Sequence, residues 1–204
     1  MAFTYFFRDM LTIEMIRDFA LPSLKGRKYI KIWDAGSAMG PEPYSLAIVL
    51  RENMGYMYFR NVKITASDID NSNLFEKIIC EGKYPREQVE RIPEELLSRY
   101  FSPNEGGNFT VSEEIRKSIH FIKHDLLSLK PIENDFGLIL CKNVLLHFSP
   151  SQRVDVIRMF YEALSDDIGY LAMEQTQKLP DEVRDLFEPV VSNAQLYKKI
   201  VKSH

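Results

Sequence analysis

The 204-residue sequence lacks several features that mark particular protein classes. It has only two cysteines, Cys80 and Cys141, and their spacing matches no metal-binding pattern. Both cysteines follow apolar residues, so we expect two buried free thiols, no metal site and a reducing, cytoplasmic location. No apolar run is long enough to cross a bilayer, and the first residues do not resemble a signal peptide. We therefore expect a protein that is not inserted in a membrane.

The sequence also lacks any dense run of basic residues. Lys and Arg number 26 and Asp and Glu number 29, which gives a formal net charge of −3. This balance argues against a nucleic-acid partner. The length is sufficient for one well-buried domain and short for two, so we expect a single domain over residues 1–204.

A glycine-containing turn is the most informative local pattern. Residues 29–33 predict a strand, residues 46–50 predict a helix, and Gly36 and Gly40 lie between them. A strand, a glycine turn and a helix form the first unit of nucleotide-binding α/β domains, in which the backbone approaches a ligand closely. Glycine turns also join strands to helices in domains that bind nothing, so this pattern alone leaves both possibilities open.

The rest of the sequence continues an α/β pattern with one interruption. We predict further strands at 62–66, 119–122, 136–141 and 169–173, helices between them, and a last pair of β segments within 190–201. An early helix, over 9–20, should end before Pro22. Residues 83–118 depart from the pattern and predict an insertion made of a small helix and a β-hairpin, with a turn at 104–108. Insertions of this kind often bind partners, although a merely decorative loop fits equally well.

Polar residues that follow the predicted strands are the first candidates for a site, because ligands of open α/β sheets bind beyond the carboxyl ends of the strands. Asp68 ends the second strand, where an acid can accept hydrogen bonds from a ribose diol; the alternative is a simple turn residue. Asp70 is better explained as the N-cap of a helix over 71–80. Lys142, Asn143 and His147 follow the buried strand, although His147 could instead be a buried, hydrogen-bonded histidine.

Several separated motifs together resemble the catalytic domain of the CheR-type chemotaxis receptor methyltransferases. They are Thr4-x-Phe6-Phe7-Arg8, Ala35-Gly36 with Gly40-x-Glu42-Pro43-Tyr44-Ser45, Ser67-Asp68-Ile69-Asp70, Gly82-x-Tyr84, Arg99-Tyr100-Phe101, Asp125-Leu126-Leu127, Cys141-Lys142-Asn143-Val144 and Leu196-Tyr197-Lys198. The resemblance implies a Rossmann-like class I methyltransferase fold. It also implies methyl transfer from S-adenosylmethionine to glutamates in the cytoplasmic region of chemoreceptors, which forms glutamyl methyl esters and S-adenosylhomocysteine.

The same resemblance implies roles for individual residues. The cofactor-binding positions would be Thr4, Arg8, Gly36, Glu42, Asp68, Asp125, Leu126, Lys142 and Asn143. Asp68 would take the ribose hydroxyls and Glu42 would face the methionyl part. Arg8 would also lie near the transferring methyl group, and Arg8 and His147 are the catalytic candidates. The insertion at 83–118 matches a small β subdomain that docks a receptor tail peptide in some family members.

Departures from the family pattern leave other functions open. The family has a helical domain ahead of the Phe6-Phe7-Arg8 segment, and this chain is expected to lack it. Lys142 stands where an arginine is usual, His147 replaces a tyrosine, and Gln177 replaces a glutamate. The alternatives are a degenerate cofactor-binding regulatory protein and a methyltransferase for another substrate. A dinucleotide oxidoreductase is disfavoured because the glycines do not form Gly-x-Gly-x-x-Gly.

Overall fold

The computed structural model describes residues 4–104 and 106–201. Glu105, in the predicted turn at 104–108, lies outside the described residues, as do 1–3 and 202–204 at the ends of the predicted domain. The strands are β1 (Ile30–Ala35), β2 (Val62–Asp68), β3 (Lys83–Tyr84), β4 (Phe101–Pro103), β5 (Phe109–Val111), β6 (Ile119–Lys123), β7 (Leu138–Cys141), β8 (Tyr170–Met173), β9 (Phe187–Pro189) and β10 (Leu196–Lys199). The helices are α1 (Met10–Met15), α2 (Leu21–Leu24), α3 (Pro41–Phe59), α4 (Phe75–Glu81), α5 (Arg86–Val89), α6 (Glu94–Tyr100), α7 (Glu113–Arg116) and α8 (Pro150–Ala163).

The larger sheet has seven strands within the described ranges, in the order β6-β2-β1-β7-β8-β10-β9. The five strands from β6 to β8 are parallel, and β10 runs antiparallel to both of its neighbours. The order reverses between β1 and β7, as expected at the ligand-binding edge of a doubly wound sheet. The predicted Rossmann-like α/β fold is therefore confirmed.

Apolar side chains cover both faces of this sheet. Alternate residues of β1 go to opposite sides: Ile30 and Ile32 pack on the side of α1 and α3, whereas Trp33 packs on the side of α8. Trp33 is fully buried, and its indole N–H donates to Ser67 Oγ at 2.8 Å. A central strand buried on both faces has no solvent-facing side, so a charged residue within it requires an explanation.

A second, three-stranded sheet in the order β3-β5-β4 is antiparallel throughout. Its strands and helices α5, α6 and α7 come from residues 83–116. Phe6 connects this sheet to the amino-terminal segment, since its ring meets those of Tyr84 and Phe101 edge-on. The ring centres are 4.9 and 5.2 Å apart, respectively. The small sheet therefore packs directly against the segment that carries Arg8.

The early helical region continues beyond the predicted stop at Pro22. A π-helical turn spans Ile16–Ala20, and its last bond runs from the Leu21 N–H to the Ile16 carbonyl. Pro22 then lies in the first turn of α2, where its missing N–H costs no hydrogen bond. A proline that begins a new helical segment therefore does not end the helical region, and the predicted stop was wrong.

Two other predictions need correction. Cys80 is exposed rather than buried, because α4 turns Ile79 inward and its neighbour in sequence outward, whereas Cys141 is buried as expected. The final β pair begins at Phe187, three residues before the predicted region. No helix among the described residues combines the length and the hydrophobicity that a membrane span needs.

Candidate active site

Two adjoining cavities of about 220 Å³ each lie beyond the carboxyl ends of β1, β2 and β7. We call them the polar cavity, which is lined by Thr4, Arg8, Glu42, Lys142 and Asn143, and the apolar cavity, which is lined by Ile69, Leu126, Leu127 and Phe148. Gly36, Asp68, Val144 and His147 line both cavities. Each residue predicted to bind the cofactor or act in catalysis lines at least one of them. The structure therefore brings the predicted set together, including Asp125 in the apolar cavity.

The glycine turn contributes Gly36 to both cavities. Gly36 follows β1 with a φ of 104°, and Gly40 precedes α3 with a φ of 100°. A Cβ atom on Gly36 would lie 2.1 Å from Cγ2 of Val144, so no larger residue fits without displacing that side chain. The turn thus requires glycine for its backbone conformation and for the close approach of the chain after β7.

Asp68 is held in place by two backbone N–H groups. Its Oδ2 accepts from Ala38 at 3.0 Å, and its Oδ1 accepts from Asp70 at 3.2 Å. The side chain therefore organises the turns after β1 and β2, as the turn-residue alternative proposed. A carboxylate has about four acceptor positions, so capacity remains for a diol at the junction of the two cavities.

Asp70 acts as a cap at a different position from the one predicted. Its carboxylate accepts from the N–H groups of Leu74 and Phe75 at 3.3 and 3.0 Å and from the Ser72 hydroxyl at 2.7 Å. Helix α4 begins at Phe75 rather than at residue 71. The acid therefore closes the turn before the helix and leaves Asp68 to face the cavities.

Lys142 and Glu42 form an ion pair at the base of the polar cavity. The ammonium nitrogen lies 2.9 Å from Oε2 of Glu42, and the two side chains are 0% and 13% exposed. The same ammonium group donates to the Arg8 carbonyl at 3.1 Å. Burial raises the pKa of Glu42, and the neighbouring ammonium group opposes that increase. Lys142 therefore ties α3 and the amino-terminal segment to the end of β7.

Asp34 is a buried acid that sequence analysis did not identify as part of the site. It is 0% exposed, and neither carboxylate oxygen has a hydrogen-bond partner among the described residues. Burial raises its pKa well above the usual range, Glu42 adds to the increase, and Lys142 opposes it. Its position gave a signal, since it is an acid within an otherwise apolar strand.

Glu174 is a second acid that the sequence analysis overlooked. It follows β8 directly, next to Lys142 after β7, because Cys141 and Met173 are paired in register. Its Oε2 accepts from the N–H of Asn143 at 2.7 Å. Asn143 has a φ of 58°, an uncommon conformation that asparagine tolerates better than most residues. The buried acid therefore fixes the turn that carries Asn143.

Arg8 and His147 are the predicted catalytic residues, and both lie where the cavities open. Arg8 stands between Phe7 and Asp9, which have φ values of 57° and 48°, and the Phe7 N–H donates to Ser45 Oγ at 2.8 Å. The Arg8 side chain is 34% exposed and pairs with Asp9 at 3.3 Å. His147 lies in a 3-10 turn and is exposed, so the alternative of a buried histidine is wrong.

The apolar cavity has one polar side. Asp125 Oδ1 accepts from the Leu127 N–H at 2.9 Å and caps the 3-10 turn Leu126–Ser128. His124 donates from Nε2 to the Lys130 carbonyl at 2.9 Å, and its ring meets that of Trp33 edge-on. Apolar walls with a few polar groups suit a flat heteroaromatic base.

These features fit S-adenosylmethionine. The polar cavity offers acids to a cationic amino-acid part, the apolar cavity offers walls to a base, and Asp68 lies where a ribose would join them. The tight contact at Gly36 allows a ligand to approach the backbone.

A larger cavity of about 400 Å³, lined by residues 56–62 and 113–118, contains none of the predicted residues. No cluster of metal-binding side chains occurs in the described ranges.

Comparison with known proteins identifies one family. Residues 2–196 match the family model described as CheR methyltransferase, SAM binding domain. The chain is 32% identical over 184 residues to a chemotaxis protein methyltransferase of Borreliella burgdorferi. The matched region covers 86% of this chain and 64% of that relative. It is 36% identical over 154 residues to chemotaxis protein methyltransferase 2 of Pseudomonas aeruginosa, and the match covers 73% of this chain and 54% of that relative. A relative from Vibrio parahaemolyticus is 29% identical over 201 residues, with 97% and 72% coverage.

Proposed function

Since the chain belongs to the CheR methyltransferase family, we propose that it transfers the methyl group of S-adenosylmethionine to glutamate side chains of chemoreceptors. The resemblance inferred from the motifs is confirmed, and the matched model describes an S-adenosylmethionine-binding domain. The chain spans 64% and 54% of the lengths of two of its relatives, so the activity, substrate and partners of the whole protein belong to this proposal.

The observation that carries the proposal is the junction of the two cavities at Asp68. Asp68 would hold the ribose, Asp125 and Leu126 would contact the base, and Gly36 would permit close approach. Thr4, Glu42 and Asn143 would surround the amino-acid part. When bound, S-adenosylmethionine supplies a methyl group on a positively charged sulfur.

The acceptor requires little activation by the protein. A glutamate side chain has an ordinary pKa of about 4.3, so it is already a carboxylate at neutral pH and no general base is needed. The residues at the opening must instead orient the carboxylate and exclude water, because orientation supplies much of the rate of such a transfer. This requirement is met by cationic or hydrogen-bonding groups at the opening rather than by a base.

Arg8 is the group best suited to this task. Its guanidinium lies at the mouth of the polar cavity and can form two parallel hydrogen bonds with a carboxylate. Asp9 now pairs with Arg8 on the exposed side, where a surface ion pair is weak and can be exchanged for the substrate. His147, which lines both cavities, would donate a hydrogen bond to the same carboxylate.

Lys142 has a supporting task in this proposal. Its ammonium group is used within the protein, by Glu42 and by the Arg8 carbonyl, so it fixes the cofactor-binding acid and the backbone of the catalytic arginine. The single ammonium group of Lys142 thus holds both the Glu42 carboxylate and the Arg8 carbonyl. It also opposes the rise in the pKa of the buried Asp34.

We further propose that residues 1–204 act as one methyltransferase domain with an inserted small β subdomain at 83–118. The open strands of that subdomain would bind a receptor tail peptide by adding a strand.

A second candidate function is cofactor binding without transfer, which the exposed His147 in place of the usual tyrosine favours. Both candidates share the cofactor, so only a transfer assay separates them.

The test uses the full chain, labelled S-adenosylmethionine and a chemoreceptor cytoplasmic fragment. We expect label in base-labile methyl esters on the fragment. A matched fragment with the accepting glutamates changed to glutamine should take up no label. Tight cofactor binding without any ester on several receptor fragments would favour the second candidate instead.

A further inference from the structure

We propose that Arg91, held on the ring of Tyr5 beside Arg8, is a substrate-binding residue that selects acceptors with a second carboxylate near the methylated one. This inference rests on the proposed function, because it concerns the substrate of the same site. It assigns a role to a residue of the insertion that none of the motifs contains.

One aromatic ring holds two arginines at this position. The guanidinium carbon of Arg91 lies 5.0 Å from the centre of the Tyr5 ring, and that of Arg8 lies 5.9 Å from it. Arg8 also pairs with Asp9. Arg91 is exposed, and it forms no ion pair with a carboxylate among the described residues. The ring therefore orients a guanidinium group whose hydrogen-bond donors remain available to an anion.

Arg91 lies on a fixed part of the chain. It follows α5 and precedes α6, and the next residue, Ile92, is 5% exposed and donates its N–H to the Val89 carbonyl at 3.0 Å. The other side of the contact is also anchored, because Phe6 next to Tyr5 is buried against the small sheet. The fixed turn and the anchored ring therefore hold the guanidinium near a defined position, which lowers the cost of ordering it on binding.

The spacing indicates the class of ligand. Acidic residues one or two turns apart on one helix face are separated by about 5 or about 11 Å along the axis. Because the guanidinium carbons of Arg8 and Arg91 lie 5.9 and 5.0 Å from one ring centre, their separation cannot exceed the longer of these spacings. An acidic helix could therefore place the accepting carboxylate at Arg8 and a second carboxylate at Arg91. A neutral segment would use only the first contact.

Direct binding tests the inference independently of catalysis. The probe is a synthetic helical peptide with two glutamates four residues apart, and its partner has glutamine in place of the second one. Binding to the full chain saturated with S-adenosylhomocysteine is measured by fluorescence anisotropy. We expect Arg91→Gln to weaken binding of the first peptide about fivefold and to leave the second unchanged.

Further variants separate Arg91 from general charge effects. Tyr5→Leu should weaken binding of the first peptide as well, because it removes the ring, whereas Tyr5→Phe should retain most of the affinity. Arg60→Gln makes the same charge change at an exposed residue just before β2, at the amino ends of the parallel strands and away from the cavities, and should have no effect. Equal affinity of wild type and Arg91→Gln for the first peptide, or no binding by wild type, would overturn the inference.

The ester assay on the same proteins distinguishes this inference from the proposed function. Binding that depends on Arg91 without ester formation would retain the recognition site and reject methyl transfer. Ester formation that is unchanged in rate and KM by Arg91→Gln would retain methyl transfer and reject the role of Arg91.

Discussion

The ammonium nitrogen of Lys142 lies 2.9 Å from a carboxylate oxygen of Glu42, and both side chains are almost fully buried. The pair joins the end of β7 to the first turn of α3 at the base of the polar cavity. Removing one partner of such a pair leaves the other charged group buried without compensation. This relationship makes the cavity sensitive to changes that a surface ion pair would tolerate.

The first prediction concerns this ion pair. Lys142→Met should lower the free energy of unfolding by about 3–5 kcal/mol, because the Glu42 carboxylate would lose its buried partner. Lys142→Arg is the matched control, since it keeps the charge and should lose much less. Urea denaturation measures both. Adding Glu42→Gln to Lys142→Met should recover part of the loss, and a double variant no more stable than the single one would contradict this explanation.

The second prediction concerns the turn at Gly36. Gly36→Ala should destabilise the protein by more than about 2 kcal/mol, because a methyl group would clash with Val144 and the positive φ would add strain. Gly107→Ala is the control, since Gly107 also has a positive φ but nothing within 4 Å of a new Cβ. It should cost only about 1 kcal/mol. Equal losses in the two variants would show that the Val144 contact is unimportant.

The third prediction concerns pH. The folded protein retains a proton on Asp34 at pH values where the unfolded chain, with a pKa of about 3.9, has lost it. Stability therefore falls as pH rises from the unfolded pKa towards the raised folded pKa. Asp34→Asn does not titrate, so its stability relative to wild type should increase with pH, by up to about 1.4 kcal/mol per pH unit in that window. Urea denaturation at about pH 5 and about pH 8 measures the difference, and a constant difference would refute the buried-acid account.

The fourth prediction concerns the cofactor. Asp68→Asn should weaken binding of S-adenosylhomocysteine about tenfold, because an amide nitrogen cannot accept a hydrogen bond from a ribose hydroxyl. Asp70→Asn is the control in the same turn, since that carboxylate serves the backbone before α4. It should reduce stability without a matching loss of affinity. Isothermal titration calorimetry that shows equal affinities for Asp68→Asn and wild type would exclude the ribose assignment.

The sequence allowed the sheet and the position of the site to be predicted because both depend on short-range patterns. Apolar runs marked the parallel strands, and the polar residues after them had to meet at one edge. Asp68, Lys142, Asn143 and His147 were found in this way. Family resemblance added Glu42, Asp125 and Leu126, whose position in the sequence does not by itself identify a ligand, and it implied the roles of Thr4 and Arg8.

Features that depend on contacts between distant segments were not predictable. Glu174 accepts a hydrogen bond from the turn after a neighbouring strand, and Arg91 contacts the same Tyr5 ring as Arg8. The position of Glu174 directly after the predicted strand 169–173 was a usable signal, like that of Asp68, whereas the sequence around Arg91 gives no sign of its contact with Tyr5. Pro22 was misinterpreted for a different reason, since a proline has the same local signal whether it ends a helix or begins the next one.

The central claim is that Arg8 orients an acceptor carboxylate beside a bound methyl donor. It is tested most directly by single-turnover transfer from labelled S-adenosylmethionine to a chemoreceptor fragment, with cofactor affinity measured on the same samples. Arg8→Ala should keep the affinity within about threefold of wild type while its transfer rate falls at least about a hundredfold, because the carboxylate loses its bidentate partner and its alignment. Unchanged transfer by Arg8→Ala would contradict the account.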